Sequence, residues 1–426
     1  MVQSSFGWSI KEPGDLEEMK ETYILVAVGT EEATEASLGE LSELLDTAGG
    51  EAVDCVTQNL MHPDPATYIG SGKAEELRWI MEEEGADGIV CDDELTPAQM
   101  RNLSDILEAK VLDRTMLILD IFAAHARTKE GKLQVEMAQL KYRSSRLSGM
   151  GKALSRLGGG IGTRGPGETK LETDRRVIKT RIEALSAEIR DMKQVRNTTR
   201  KRRMESAEPV AAVVGYTNAG KSTFLNRLTG SDVLSEDKLF ATLDPTTRIF
   251  EMNRGQRLLL TDTVGFINKL PHHLIDAFRS TLEEAQYADF LIHIVDSSDP
   301  HAYEHCRVVY ETLSALGIIG KPILTVWNKC DLPESDTTLR DLKADITIRF
   351  SAATGEGMER LTETIGAILN ENREYIDIVV PYQDQGKTAM IRKYGELLSE
   401  EYLSEGVHVT AYVPKRLLLQ YGLKGY

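Results

Sequence analysis

Residues 215–222 read Gly215-Tyr216-Thr217-Asn218-Ala219-Gly220-Lys221-Ser222, which matches G-x-x-x-x-G-K-[ST] at every fixed position. They follow Val210-Ala211-Ala212-Val213-Val214, an apolar run of the kind that forms a buried parallel strand. A strand, a glycine-rich turn and a helix opening near Lys221 make a phosphate cradle. The glycines let backbone N–H groups curl toward phosphate oxygens, and the helix adds the positive end of its dipole. Lys221 would reach the β/γ-phosphates and Ser222 would hold Mg²⁺. The bland reading, a glycine turn that only joins a strand to a helix, is weakened by the motifs that follow.

Asp262-Thr263-Val264-Gly265 closes the apolar stretch Leu258-Leu259-Leu260, which can bring Asp262 near the metal and the Gly265 N–H near the γ-phosphate. Pro322-Ile323-Leu324-Thr325-Val326-Trp327 then runs into Asn328-Lys329-Cys330-Asp331, where Asp331 can accept from guanine N1 and N2. Adenine has no donors there. Ser351-Ala352-Ala353 ends the next strand and can supply an N–H to guanine O6. Tyr216, Thr217, Asn218, Ala219 and Thr223 complete the expected loop contacts, with Thr263 and Val264 beside them. The order predicts a GTP-binding, GTP-hydrolysing α/β domain of P-loop type; a P-loop small-molecule kinase has no use for Asn-Lys-x-Asp.

At 426 residues the chain has room for two or three domains. Cys55, Cys91, Cys306 and Cys330 form no C-x-x-C pair, so neither zinc nor a disulfide framework is suggested, and a reducing, cytoplasmic setting is expected. No signal peptide or membrane span is read. The net charge of −17 alone argues against a nucleic-acid partner, but residues 141–203 hold 18 Lys and Arg against 6 Asp and Glu, a local +12 that leaves −29 elsewhere. An acidic chain with one basic segment is suited to touching a polyanion at one place.

In order, residues 1–20 read as a tail and 21–127 as a small α/β domain with a largely parallel sheet. Residues 128–205 read as an antiparallel helical hairpin, 206–372 as the GTP-binding domain and 373–426 as a small α+β domain: a strand over 375–380, a helix through about Leu403, a strand over 407–413 and a helical end. Gly70-Ser71-Gly72-Lys73 imitates a phosphate loop but lacks its first glycine and its Ser/Thr, and is weighed as a turn opening a helix. His301 and His305, four apart on a helix, are weighed as a solvated face rather than a metal site.

The hairpin follows from heptad spacing: Leu133, Met137, Leu140 and Leu147 on one limb, and Leu171, Ile178, Ile182, Leu185, Ile189 and Met192 on the other. Limbs of about 20 residues would extend roughly 30 Å. The tip, about 148–170, is rich in glycine, interleaved with Lys152, Arg156, Arg164 and Lys170. A flexible linker is the competing reading. A glycine-rich basic tip can press its backbone against phosphates of folded RNA, with Arg175, Arg176 and Lys179 behind it.

On these residues the chain resembles the HflX family of ribosome-associated GTPases over about 22–372. The most specific stretches are Asp113-Arg114-Thr115, Glu130-Gly131-Lys132-Leu133-Gln134-Val135-Glu136, Arg164-Gly165-Pro166-Gly167-Glu168-Thr169-Lys170 and Phe240-Ala241-Thr242-Leu243-Asp244-Pro245-Thr246. The resemblance implies that the last is switch I, contacting GTP through Phe240, Ala241, Thr242, Leu243 and Asp244, with Thr242 the second protein ligand of Mg²⁺. Spacing alone does not separate Thr242 from Thr246 or Thr247. It further implies binding to rRNA of the 50S subunit through the N-terminal and helical-hairpin region, and splitting or rescue of stalled ribosomes under stress; a monomer is expected. A GTP-gated switch acting on other RNA or on a protein is the rival reading.

Lys221, Thr242 and Gly265 are the expected catalytic groups, but the place after Asp-x-x-Gly, where a glutamine orients water, is Phe266. Slow intrinsic hydrolysis, accelerated by the ribosome, is therefore expected. Asn218 stands where several translation-related GTPases bind K⁺; an ordinary loop residue is the equal alternative.

Overall fold

Alternating apolar runs and amphipathic helices produce layered α/β structure in both compact units of the chain. The computed structural model describes residues 20–154, 166–205, 208–230, 239–240, 246–252, 257–271, 284–371, 373–420 and 422. One unit holds the described residues up to Leu95 together with Gln99–Arg114; the other holds Thr96–Ala98 and those from Thr115 onward.

Through the first unit, β1 (Thr22–Val28), α1 (Glu31–Thr47), β2 (Glu51–Gln58), α2 (Ser71–Glu84), β3 (Gly88–Cys91), α3 (Pro97–Leu107, whose first two residues belong to the other unit) and β4 (Lys110–Asp113) follow one another. The sheet has order β2-β1-β3-β4 and every pair is parallel. Ile24 and Val26 pack with Leu77, Met81 and Leu103. The imitation phosphate loop is a helix opening: Gly70 caps α2 and Lys73 Nζ pairs with Glu76 at 2.8 Å.

Asp113-Arg114-Thr115 turns out to be a folding device. Arg114, 1% exposed, donates through Nη2 to Asp92 Oδ1 at 2.6 Å and to the Ser37 carbonyl at 3.0 Å, through Nε to the Asp92 carbonyl at 3.1 Å, and pairs with Glu40. Asp113 Oδ2 accepts the Leu95 N–H at 3.1 Å.

From Arg114 the chain enters α4 (Arg114–His125), then α5 (Lys129–Leu154) and α6 (Pro166–Glu205), which pack as the expected hairpin. The limbs are longer than expected, 26 and 40 residues or about 39 and 60 Å. The tip loop expected over 148–170 is correspondingly narrower, since helix runs to Leu154 and resumes at Pro166. Gly149 and Gly151 cost about 1 kcal/mol each against alanine, too little to stop a packed helix, and proline suits a first helical position. Ile178, Ile182, Leu185, Ile189 and Met192 form the seam, with Leu185 fully buried. Leu171, assigned to the same seam, has its side chain outside the described residues.

The GTP-binding fold comprises β5 (Val210–Gly215), α7 (Lys221–Thr229), β6 (Thr247–Glu251), β7 (Arg257–Asp262), β8 (Phe290–Asp296), α8 (Ala302–Ala315), β9 (Ile323–Asn328), β10 (Ile346–Arg349) and α9 (Met358–Glu371). Sheet order is β10-β9-β8-β5-β7-β6, parallel except for β6 against β7. The phosphate loop thus leaves a central strand.

The remaining residues form β11 (Arg373–Pro381), α10 (Gln385–Tyr394), β12 (Glu396–Tyr402), β13 (Gly406–Pro414) and α11 (Lys415–Gln420), the strands antiparallel in order β11-β13-β12. The helix expected through Leu403 stops at Tyr394. Gly395 is extended, and Glu396–Tyr402 pairs with β13, so a ladder of backbone hydrogen bonds overrides the helical preference of the Glu and Leu residues.

Replacing Arg114 by Ala leaves Asp92 and Glu40 without their cation. The change should destabilise the first unit by about 3–5 kcal/mol, read by hydrogen exchange of the β1–β4 amides.

Candidate nucleotide-binding site

Two glycines of the phosphate loop are fixed by close approach. A Cβ at Gly215 would lie 2.3 Å from the Ile294 carbonyl of β8, and one at Gly220, whose φ is +89°, would lie 2.3 Å from Asn328 Nδ2. Asn218, exposed at the loop's crest, adopts φ +58°, a left-handed conformation that asparagine tolerates. Tyr216, Thr217 and Ala219 are buried, while Ser222 and Thr223 are half-buried in the first turn of α7.

Lys221 is 8% exposed and donates from Nζ to the Tyr216 carbonyl at 2.6 Å. Burial lowers its pKa to about 8, opposed by the Asp262 carboxylate. Asp262 is 2% exposed at the end of β7, in register with Val213. The Ser222 hydroxyl and the Asp262 carboxylate are hard oxygen donors, the chemistry Mg²⁺ requires. Gly265 lies over the loop: a Cβ there would come 2.8 Å from Thr217 Cγ2 and 3.0 Å from Lys221 Nζ. Val264 is buried, and the Thr263 hydroxyl donates to the Val213 carbonyl at 2.7 Å, so that side chain braces β5.

Phe266 is more than a missing glutamine. Its ring is 2% exposed, its N–H donates to the Gly215 carbonyl at 3.1 Å and its carbonyl accepts the Thr217 N–H at 2.8 Å. Tyr216 and Phe266 therefore form a parallel bridge that zips the segment after β7 to the phosphate loop.

At the base-recognition end, Asn328 donates from Nδ2 to the Ala219 carbonyl and accepts the Ala352 N–H on Oδ1, both at 2.9 Å. The Ser351 N–H donates to the Glu356 carbonyl at 3.0 Å. Lys329 Nζ pairs with Asp296 at 2.6 Å, while Asp331 is exposed. Arg227 of α7 donates to the Ala352 carbonyl at 3.0 Å and to the Ala353 carbonyl.

Several contacts carry no sequence signal. His305 does not sit on a solvated face: its ring stacks on Tyr216 at 3.8 Å and 11°, whereas the His301 side chain is 47% exposed. Phe240, 3% exposed with φ +58°, meets Phe122 of α4 edge-on at 4.6 Å. Ala241, Thr242, Leu243 and Asp244 lie outside the described residues. On the hairpin, Arg176 and Lys179 are exposed, but Arg175 faces the seam and donates to the Leu147 carbonyl at 2.7 Å. Arg156, Arg164 and the side chains of Lys152 and Lys170 lie outside the described residues.

Polyphosphate favours protonated Lys221, which in the free protein is lost as pH rises through about 8. Affinity for GDP should therefore fall about fourfold between pH 7 and pH 8.5, with net proton uptake on binding seen by calorimetry in two buffers. Lys221→Arg should flatten the profile.

Family models match three successive stretches: GTP-binding GTPase N-terminal over residues 35–123, GTP-binding GTPase Middle Region over 125–203 and 50S ribosome-binding GTPase over 210–329. GTPase HflX of Lacrimispora saccharolytica is 56% identical over 95% of this chain and 96% of its own. GTPase HflX of Escherichia coli is 41% identical over 79% and 80%. Among solved structures, a GTP-binding protein from Sulfolobus solfataricus in complex with GDP aligns with TM-score 0.43 and 26% identity, over 81% of this chain and 98% of that one. With the guanine-nucleotide motifs gathered around one loop and relatives of this identity along nearly its whole length, the chain belongs to the HflX family and is a GTPase.

Proposed function

We propose that the chain is a Mg²⁺-dependent GTPase that binds the large ribosomal subunit through its hairpin and acts in splitting or rescuing stalled ribosomes under stress, as a cytoplasmic monomer. The observation that carries this reading is a 40-residue helix with exposed Arg176 and Lys179, in a chain of net charge −17 whose GTPase stretch matches a family described as ribosome-binding. Among the described residues no helix is long and apolar enough to cross a membrane.

In this reading Lys221 holds the β/γ-phosphates, Asp331 reads guanine N1 and N2, and the 351–353 loop faces O6. Ser222 and Thr242 would hold Mg²⁺, with Asp262 beside them, and a bound ion would supply neutralising charge at the phosphates. Thr242 and the Gly265 N–H sense the γ-phosphate. Phe240 links that sensing to the arm, because its ring lies on α4, which leads through residues 126–128 into α5.

Co-sedimentation with purified 50S subunits tests this. Binding should be strong with a non-hydrolysable GTP analogue, weaker with GDP, and reduced at least tenfold by Arg176→Glu with Lys179→Glu while GTP affinity is kept. Phe122→Ala should narrow the difference between nucleotides. Equal binding in every nucleotide state would overturn the gating, and no binding in any state would favour a switch acting on another RNA or a protein.

Phe266 offers no group to orient water, so the isolated protein should hydrolyse GTP far more slowly than once per second. If Asn218 holds K⁺ beside the phosphates, the rate in KCl should exceed that in NaCl severalfold; equal rates would assign Asn218 to the loop backbone alone.

A further inference from the structure

Behind the strand that feeds the phosphate loop, three side chains meet that nucleotide binding does not use. His293 on β8, Cys306 on α8 and Asp341 in the connection before β10 have their ligand atoms within 4.8 Å of one another. His293 and Cys306 are buried, 1% and 7% exposed, and Asp341 is half-buried with its side chain 5% exposed. His293 Nδ1 has no hydrogen-bond partner and stands 3.8 Å from Asp341 Oδ2, beyond hydrogen-bond reach. Nitrogen and oxygen donors about 2.0–2.2 Å from a tetrahedral centre lie roughly 3.3–3.6 Å apart, so a closure of a few tenths of an ångström brings this pair onto one ion.

We propose that His293, Cys306 and Asp341 form a binding site for a divalent transition-metal ion of zinc type, with water in the fourth position. Imidazole nitrogen with thiolate sulfur selects against Mg²⁺ and Ca²⁺, and three protein ligands leave one position open. The carboxylate is already oriented: the Tyr310 and Thr325 hydroxyls donate to Oδ2 at 2.6 and 2.7 Å, and the Lys343 N–H donates to Oδ1 at 3.0 Å. Burial pushes the His293 ring below its ordinary value, which leaves the neutral form that ligates. Burial, with Asp341 nearby, raises the Cys306 thiol to about 12, so an incoming ion must displace its proton and affinity rises with pH.

The placement gives the ion a mechanical consequence. His293 pairs in register with Val214, one residue before Gly215, and Cys306 follows His305, whose ring supports Tyr216. An ion here would pin α8 and the 341 connection to β8, behind the nucleotide cradle and apart from the Mg²⁺ ligands.

Full-length protein stripped with chelator and saturated with Mg²⁺ and GDP, so that the oxygen-donor site is filled, should be titrated with Co²⁺ and then Zn²⁺. The expected result is one equivalent of Co²⁺ giving a thiolate-to-cobalt band in the near ultraviolet and strong visible bands of four-coordinate cobalt, all erased by Zn²⁺. Cys306→Ser should lose the near-ultraviolet band, and His293→Gln, run in parallel in case one variant fails to fold, should weaken binding at least tenfold. No thiolate band in the wild-type protein, or a band that survives in both variants, overturns the site.

Discussion

The Asn328 carboxamide is the tie on which the nucleotide site depends. Strands β5 and β9 are separated by β8, yet this buried side chain spans them, donating to the phosphate loop at Ala219 and accepting from the base-recognition loop at Ala352. Each hydrogen bond contributes about 1 kcal/mol net, but leaving either buried partner unmade costs about 1–3 kcal/mol. The carboxamide also sits where a Gly220 side chain would have to go. The glycine, the asparagine and the strand order are therefore one constraint, which fixes the loop after β5 against the loop after β10.

Around that tie the loop satisfies itself from within. Lys221 donates to Tyr216 and Thr217 to Phe266, groups close by in chain or sheet. Phosphate oxygens are stronger acceptors because they are charged, roughly doubling the bond a carbonyl offers. On the proposed reading, nucleotide binding would be an exchange of acceptors for Lys221, and the desolvation that weakens its charge in the free protein would become electrostatic strength once an anion arrives. The ring of Phe266 stays in the core under the loop, which explains a bulky apolar residue where water would otherwise be positioned.

Chemistry set by local backbone was legible in the sequence; chemistry set by distant partners was not. The four nucleotide motifs lie after the strands expected, because turn and motif are the same few residues. The Tyr216–His305 stack joins residues 89 apart with no shared pattern. In the hairpin, Ile178, Ile182, Leu185, Ile189 and Met192 announced the seam, yet Arg175 and Arg196 continue the same alternating three-and-four spacing at its two ends, Arg196 pairing with Glu130 at 3.0 Å. A search for apolar letters skips arginine, although its aliphatic stem packs like one. Strand β12 was missed for the opposite reason: its Glu and Leu residues favour helix locally, and only the partner strand reverses the preference.

The Phe240 backbone shows why coupling from nucleotide to arm is energetically reasonable. A bulky residue at φ +58° is strained by about 1–3 kcal/mol, and an edge-on aromatic pair returns about 0.5–1.5 kcal/mol beyond its area burial. Burial of the ring, which is 3% exposed, adds to that return, so the left-handed backbone is a cost that packing against Phe122 offsets. On the proposed reading, a γ-phosphate engaging Thr242, two residues on, would act on that balance. Because Phe122 belongs to the helix that runs on toward α5, a shift at Phe240 would act at the root of limbs about 39 and 60 Å long, where a small rotation would become a large displacement at the far end.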